Sequence, residues 1–440
     1  MEEKKTYGLA TVIAMIVGIV IGSGIYFRAD DIFKYTNGNL PLGLLVLALG
    51  ALCIVFGSLT LTELSKRYVS EGGLVGHFEK YISPEMAAGF GWFQLFIWLP
   101  SISVVIAWAG ALYTFMLLGI EASLLAQVGL GLFYNMFFLF INILSKRFGG
   151  FVQRFSTAIK LIPLALIAVY GLFFANPQVQ DLGSSSFSKE FLSFSWITAL
   201  VPLAFSYDGW TISMTIAPEI KDAKKNMVKA LVISPFIILL VYLLYIYGIS
   251  NILGSAKILE LGDAAIFEAG KMLLGDKFAN ILLVIVIISV LGVVNGVSLG
   301  AIRVPQAMAE KKYMPDGGIS HIDQRFGLSI KSTLVVALLE IIWAIAHYLV
   351  MKYEIFNGRD VSEISIVFSY ISYILLYYQV YKILIKEGQK KRVIIPILAT
   401  LGSLIIFVGS LLASPFYVSL FILICSLAMY LGYQYAKNRT

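Results

Sequence analysis

Apolar residues run along this chain in long blocks separated by short polar seams. Twelve blocks approach or exceed roughly 20 residues, enough for a helix to cross a ~30 Å hydrocarbon core. They cover 8–27, 40–64, 87–118, 123–145, 156–175, 194–217, 228–250, 278–302, 332–351, 362–384, 393–412 and 415–435. The pattern predicts an all-α integral membrane chain of about twelve transmembrane helices. Two blocks are interrupted, the first by Gly22-Ser23-Gly24 and the sixth by Phe205-Ser206-Tyr207-Asp208-Gly209-Trp210. A helix that unwinds in lipid leaves N–H and C=O groups costing several kcal/mol each unless protein, water or a ligand satisfies them.

The two breaks are separated by four intact blocks, so they head two runs of five helices. Five is odd, and the second run is therefore expected upside down relative to the first, a 5+5 inverted repeat with unwound helices 1 and 6. The single membrane domain then divides into repeat one at about 8–175, repeat two at about 194–384 and two extra helices at about 393–435. Paired breaks in such repeats mark the midplane binding site of a secondary transporter.

Composition narrows the class. The chain is 59% hydrophobic and 13% charged, which excludes an ordinary soluble domain. With the N-terminus inside, Lys and Arg fall on the cytoplasmic side by about three to one, so both termini are expected in the cytoplasm of a multi-pass plasma-membrane protein. The net +7 reports that bias, not nucleic-acid binding. Cys53 and Cys425 lie within apolar blocks, and the three histidines are scattered, so no cofactor or metal is expected. No Ser/His, His/Asp or metal constellation for an enzyme appears within the spans. Residues 70–84 read as an interfacial or re-entrant segment, 176–193 as a polar outer loop and 252–277 as a helical lid.

The breaks carry the candidate chemistry. Gly22, Ser23 and Gly24 offer adjacent N–H groups with little bulk, and the half-helix starting there favours a carboxylate. Carbonyls at Ile19 to Ile21, together with those of Phe205 and Asp208, suit an amine, so a zwitterionic amino acid would fit both ends. The other reading of the glycines is a small-residue packing surface. For Asp208 two roles stand open: its carboxylate reads substrate charge, or it caps the freed helix end while only its main chain meets substrate. Ser206 adjoins it, and Tyr207 and Trp210 are candidate gating or packing aromatics. Lys160 reads either as a cation fixing the unwound first helix in place of Na⁺ or as a lysine snorkelling to the nearby interface. Asn295 lines the site or hydrogen-bonds another helix. Tyr242 is a gate or lining candidate, with packing favoured, and Pro218-Glu219-Ile220-Lys221-Asp222 is either a cytoplasmic gate or a solvated helix end, the latter favoured. Glu340 and Glu63 are expected to pair or to sit near span ends.

Gly22-Ser23-Gly24-Ile25-Tyr26, Gly72-Gly73, Gly149-Gly150-Phe151-Val152-Gln153, Lys160-Leu161-Ile162-Pro163, Tyr207-Asp208-Gly209-Trp210 and Asn295-Gly296 occur in this order over most of the chain. The set resembles the L-amino-acid transporter family of the amino acid–polyamine–organocation superfamily, especially its bacterial serine/threonine and alanine/serine/cysteine exchangers. The resemblance implies sodium-independent exchange of small neutral L-amino acids across a bacterial inner membrane. It implies carboxylate binding at Ser23 and Gly24, amine binding by the carbonyls of Val20, Phe205 and Asp208, and a functional Lys160. The turn near Gly119 and Glu121 lacks the cysteine that links animal members to an ancillary glycoprotein, so no disulfide-linked subunit is expected. A cation- or proton-coupled symporter is the alternative in the same class; a membrane receptor or channel is the alternative outside it.

Overall fold

A computed structural model describes residues 6–27, 29–70, 72–174, 186–355 and 360–439. Among these the chain is helical throughout, with no strand beyond two isolated bridges. Nine helical segments are long and apolar enough to span a membrane. The helices in chain order are α1 (Leu9–Val20), α2 (Ser23–Phe27), α3 (Ala29–Tyr35), α4 (Leu40–Arg67) and α5 (Leu74–Tyr81). Next come α6 (Pro84–Leu118), α7 (Leu124–Leu144), α8 (Lys146–Phe173), α9 (Phe187–Ser193) and α10 (Leu200–Ser206). A 3-10 helix covers Trp210–Glu219. Then follow α11 (Ala223–Leu253), α12 (Ser255–Leu261), α13 (Ala265–Leu274), α14 (Asp276–Ala301), α15 (Arg303–Glu310) and α16 (Ile330–Lys352). The chain closes with α17 (Glu363–Lys386), α18 (Ile394–Ala413) and α19 (Pro415–Lys437).

The twelve expected segments are all accounted for. Ten are continuous helical segments, among them the 24-residue α17. The first and sixth are each split into two short pieces, as the interruptions in the pattern predict. Both split segments lie in the middle of the bundle. Helix α1 packs on α8, α11, α14 and the 3-10 half-helix, while α10 packs on α2, α4, α17 and α18.

Local chemistry sets several boundaries. Asn39 and Ser123 cap α4 and α7 by accepting the amides of Leu42 and Ala126. Ser145 caps the amide of Phe148, so α8 begins at Lys146, ten residues before the apolar block at 156. Lys160 is therefore a mid-helix residue and not one near a span end. Helix α6 contains a π-helical turn at Gln94–Trp98 just before Pro100. Proline has no N–H to give the preceding turn. The Phe96 carbonyl instead accepts the Trp343 indole at 2.7 Å.

The expected lid region folds as α12 and α13, which pack on α3 and α2. The segment after Gly73 is the short helix α5, with Leu74, Val75, His77 and Phe78 buried. Much of the expected 176–193 loop lies outside the described residues; its last part is α9.

Candidate functional site

The first break is narrower than its glycines suggest. Helix α1 ends at Val20, Ile21 is extended and α2 is already helical at Ser23. The carbonyls freed here are taken by side chains from other spans. The Lys160 ammonium, fully buried, donates to the oxygens of Gly18 at 2.6 Å, Ile21 at 2.7 Å and Ser289 at 3.2 Å. The charge does not snorkel to an interface; it is spent on three carbonyls. Tyr26, on the far side of the break, donates its hydroxyl to the Lys160 carbonyl at 2.6 Å. Lys160 thus ties both halves of the broken helix to α8.

The second break is held mostly by its own chain. Helix α10 ends at Ser206, Tyr207 caps it, and the Asp208 amide donates to the Phe205 carbonyl at 3.1 Å. Gly209 then turns through φ 91°, a left-handed value that favours glycine. Its missing Cβ matters too, because a Cβ there would lie 2.5 Å from a methyl of Ile19. The next ten residues continue as a 3-10 helix, unusually long for that geometry.

Tyr242 joins the two breaks. Its hydroxyl lies 3.0 Å from the Val20 carbonyl and 2.7 Å from that of Ser206. One hydroxyl has one proton, so the two carbonyls compete for it. With 24 tyrosines in the chain, nothing in the sequence marks this one. Its role is not simple packing.

Between the breaks lies a cavity of about 30 Å³, room for about two waters. Val20, Gly22, Gly24, Phe205, Ser206 and Asp208 line one part of it. Ile102 and Ile106 of α6, Val293 and Val297 of α14, and Ile366 of α17 form apolar walls. The two breaks meet closely, for a Cβ on Gly24 would stand 2.8 Å from Ser206 Oγ and 2.9 Å from its Cα. Ser23 opens α2; its side chain lies outside the described part of the structure.

Asp208 does not cap the second half-helix, whose N-cap is Gly209 and which has no side-chain cap. Its Oδ2 accepts the indole N–H of Trp98 at 3.1 Å, while Oδ1 has no hydrogen-bond partner among the described residues. Trp98 was not singled out from the sequence. The available signal was Pro100, since a proline inside an apolar block perturbs the helix and π-turns gather at functional sites.

Like Tyr242, the expected site residues Asn295, Tyr207 and Trp210 stand off the cavity lining. Asn295 donates to the Gly149 carbonyl at 3.1 Å and to Gln153 at 3.2 Å, and accepts from Asn142. It therefore joins helices α7, α8 and α14. Tyr207 donates to the Leu47 carbonyl at 3.0 Å with its ring 5.0 Å from that of Tyr242. Trp210 is fully buried edge-on against Tyr373.

One end of the broken pair is closed by main chain. The amides of Thr6 and Tyr7 donate to the Glu219 carbonyl at 2.8 and 3.1 Å, and the Lys221 amide donates to the Tyr7 carbonyl at 2.9 Å. Glu219 is buried and pairs with Arg303. The expected solvated helix end at Pro218-Glu219 is thus a packed contact between the chain start and α15. Glu63 pairs as expected, with Lys66, Arg67 and Arg392.

Comparison with known proteins adds a family. Residues 7–432 match the amino acid permease family model. The serine/threonine exchanger SteT of Bacillus subtilis is 29% identical over 99% of this chain and 98% of its own length. The human b(0,+)-type amino acid transporter 1 is 23% identical over 94% of this chain and 84% of its own. The human large neutral amino acids transporter small subunit 2 is 26% identical over 71% of this chain and 59% of its own. The resemblance carried by the sequence motifs is borne out.

Proposed function

This chain belongs to the amino acid permease family, and from that premise we propose that it exchanges small neutral L-amino acids across the plasma membrane without Na⁺. It is a multi-pass membrane protein and not an enzyme. Alanine, serine, cysteine and threonine are the substrates of this reading. Both termini lie in the cytoplasm, and the two five-helix repeats rock against each other around the broken helices.

One observation carries the reading above the others: a small cavity between two broken helices, one of them fixed by the Lys160 ammonium. In the proposed pose the substrate carboxylate meets the N–H groups of Gly22, Ser23 and Gly24. The ammonium meets carbonyls of Val20, Phe205 and Asp208, each of which has a second lone pair beyond any bond it already accepts. The isoleucine and valine walls offer no partner to a charged side chain. Lys160 places a fixed positive charge at the carbonyls of the first break, and a Na⁺ beside it would be repelled in a medium of low dielectric. The paired Thr6–Tyr7 and Glu219–Lys221 segments form the inner closure, which must part for release to the cytoplasm. Similarity over 99% of the chain to a serine/threonine exchanger supports exchange as the mode and serine and threonine among the cargo.

Proteoliposomes test it. Uptake of labelled serine is expected only into vesicles preloaded with amino acid, and equally with and without Na⁺. Uptake into empty vesicles driven by a Na⁺ or H⁺ gradient would establish symport instead. No saturable counterflow at all would point to a receptor or channel.

A further inference from the structure

A second polar cluster lies within the bundle, away from the cavity, where α16 packs against α6 and α7. Glu340 of α16 is fully buried there. It was expected to pair or to sit near a span end; it does neither. Its Oε1 lies 2.8 Å from Ser103 Oγ, and the same hydroxyl lies 3.1 Å from Asn135 Oδ1. Among the described residues, Oε2 of Glu340 and Nδ2 of Asn135 have no hydrogen-bond partner.

Nothing nearby neutralises a carboxylate. Residues 86–118 of α6 and all of α7 contain no Asp, Glu, Lys, Arg or His. The titratable groups on those stretches are Tyr113 and Tyr134, and Tyr134 is paired with Thr114. Glu85 stands at the start of α6, and Arg303 and Glu310 belong to α15, which packs at the start of α16 near Ser332. On α16 itself, Lys331 and Lys352 lie about 13 and about 18 Å along the helix from Glu340. His347, two turns on, is buried with its ring 4.9 Å from that of Trp108, both ring nitrogens are without a hydrogen-bond partner among the described residues, and the Asp360 carboxylate is close enough to act on it electrostatically.

Counting protons shows what this geometry demands. Ser103 has one hydroxyl proton and cannot donate to both oxygens. If Glu340 carries a proton, it donates to Ser103 Oγ, and Ser103 then donates to Asn135 Oδ1. That completes a three-residue chain across three helices. If Glu340 is ionised, the carboxylate receives at most that one hydroxyl bond, whichever way the Asn135 amide is turned. A buried charge so poorly solvated is costly, and intramembrane carboxyls with this character mark proton sites.

We propose that Glu340 is a proton-binding site inside the membrane, the carboxylate taking a proton from water to give the neutral acid, and that transport runs on the neutral form. The site lies outside the substrate cavity, so it modulates transport by helix packing between α6, α7 and α16 and does not contact cargo.

Infrared spectroscopy of the purified full chain, labelled with ¹³C-glutamate, reads the site without relying on the transport reading. A protonated-carboxyl band is expected at neutral pH, absent from Glu340→Gln and fading as pH is raised. Exchange in vesicles should fall over the same pH interval in the wild type. It should persist in Glu340→Gln, whose amide can still donate to Ser103. No such band in the wild type would overturn the proposal, as would a band that never fades while the protein stays folded. Equal alkaline loss of exchange in wild type and variant would overturn the link to transport. If Glu340→Gln does not fold, the labelled wild type alone still decides protonation by its pH titration. Should no amino acid be exchanged at all, the infrared result stands by itself and only the proposed function fails.

Discussion

The two breaks solve one problem in opposite ways. At the first, the orphaned carbonyls of Gly18, Val20 and Ile21 are satisfied from other helices, by Lys160 and Tyr242. At the second, the Tyr242 hydroxyl reaches only the Ser206 carbonyl, and the backbone otherwise closes on itself through the Asp208 amide, the left-handed Gly209 and a 3-10 continuation. A break held by distant side chains takes its shape from the scaffold and can be released by a single substitution there. A break held locally keeps its shape while its surroundings move. On the proposed exchange cycle the first break is therefore the sensitive one, and removing its supports should cost more than altering Asp208.

The largest expected effect tests where the breaks meet. Gly24→Val would drive a branched side chain into the space held by Ser206. Overpacking costs about 1–3 kcal/mol, and the added methyls also fill the proposed substrate space. Equilibrium binding of labelled serine to the purified variant should fall by roughly 100-fold, with the protein still monodisperse in detergent. Wild-type binding would remove this place from the site.

A smaller effect is expected at the link between the breaks. Tyr242→Phe deletes the hydroxyl shared by Val20 and Ser206. The net loss of such bonds, about 1–2 kcal/mol, corresponds to roughly a tenfold rise in apparent KM for counterflow. A change confined to expression level, with KM intact, would make Tyr242 a packing residue after all.

The smallest concerns the locally held break. Asp208→Asn keeps an acceptor for the Trp98 indole, so serine exchange should change by less than about fivefold. Inhibition by lysine or arginine should stay weak in both proteins. Strong inhibition of the wild type by these cations, lost in the variant, would show that the carboxylate reads substrate charge.

Much of this architecture was legible in the residue pattern. The split of the first and sixth segments follows from glycine-rich interruptions in otherwise apolar blocks. A charge in such a block left Lys160 open to two readings, snorkelling or a buried cation, and the structure shows it bound to three carbonyls. Its depth did not follow, because α8 begins in the amphipathic stretch from Lys146, where polar residues such as Gln153 and Thr157 face neighbouring helices and not water. Those residues break the hydropathy signal without ending the helix. The exact unwound residues also escaped prediction. Glycine permits unwinding at 22–24, but the partners Lys160 and Tyr242 fix it at Ile21 and Gly22. Trp98 and Glu219 act through contacts more than 80 residues away in sequence, and Tyr242 through contacts 36 and 222 residues away, and local pattern carries no trace of such pairing. Asn295 could not be assigned from one sequence, since packing and lining residues share the same composition.

The most direct test of the central idea, that an ammonium from α8 holds the first break in its binding-competent shape, is serine binding to purified Lys160→Ala and Lys160→Arg at matched protein levels, with and without Na⁺. Truncation leaves the freed carbonyls of Gly18 and Ile21 short of a donor, each at about 1–3 kcal/mol. Since apparent affinity scales with the competent fraction, binding should fall by at least about tenfold in the alanine variant. Arginine should recover only part of it, its planar fork being a poor match for three carbonyls arranged around a compact ammonium. Near-wild-type binding by Lys160→Ala would contradict the account.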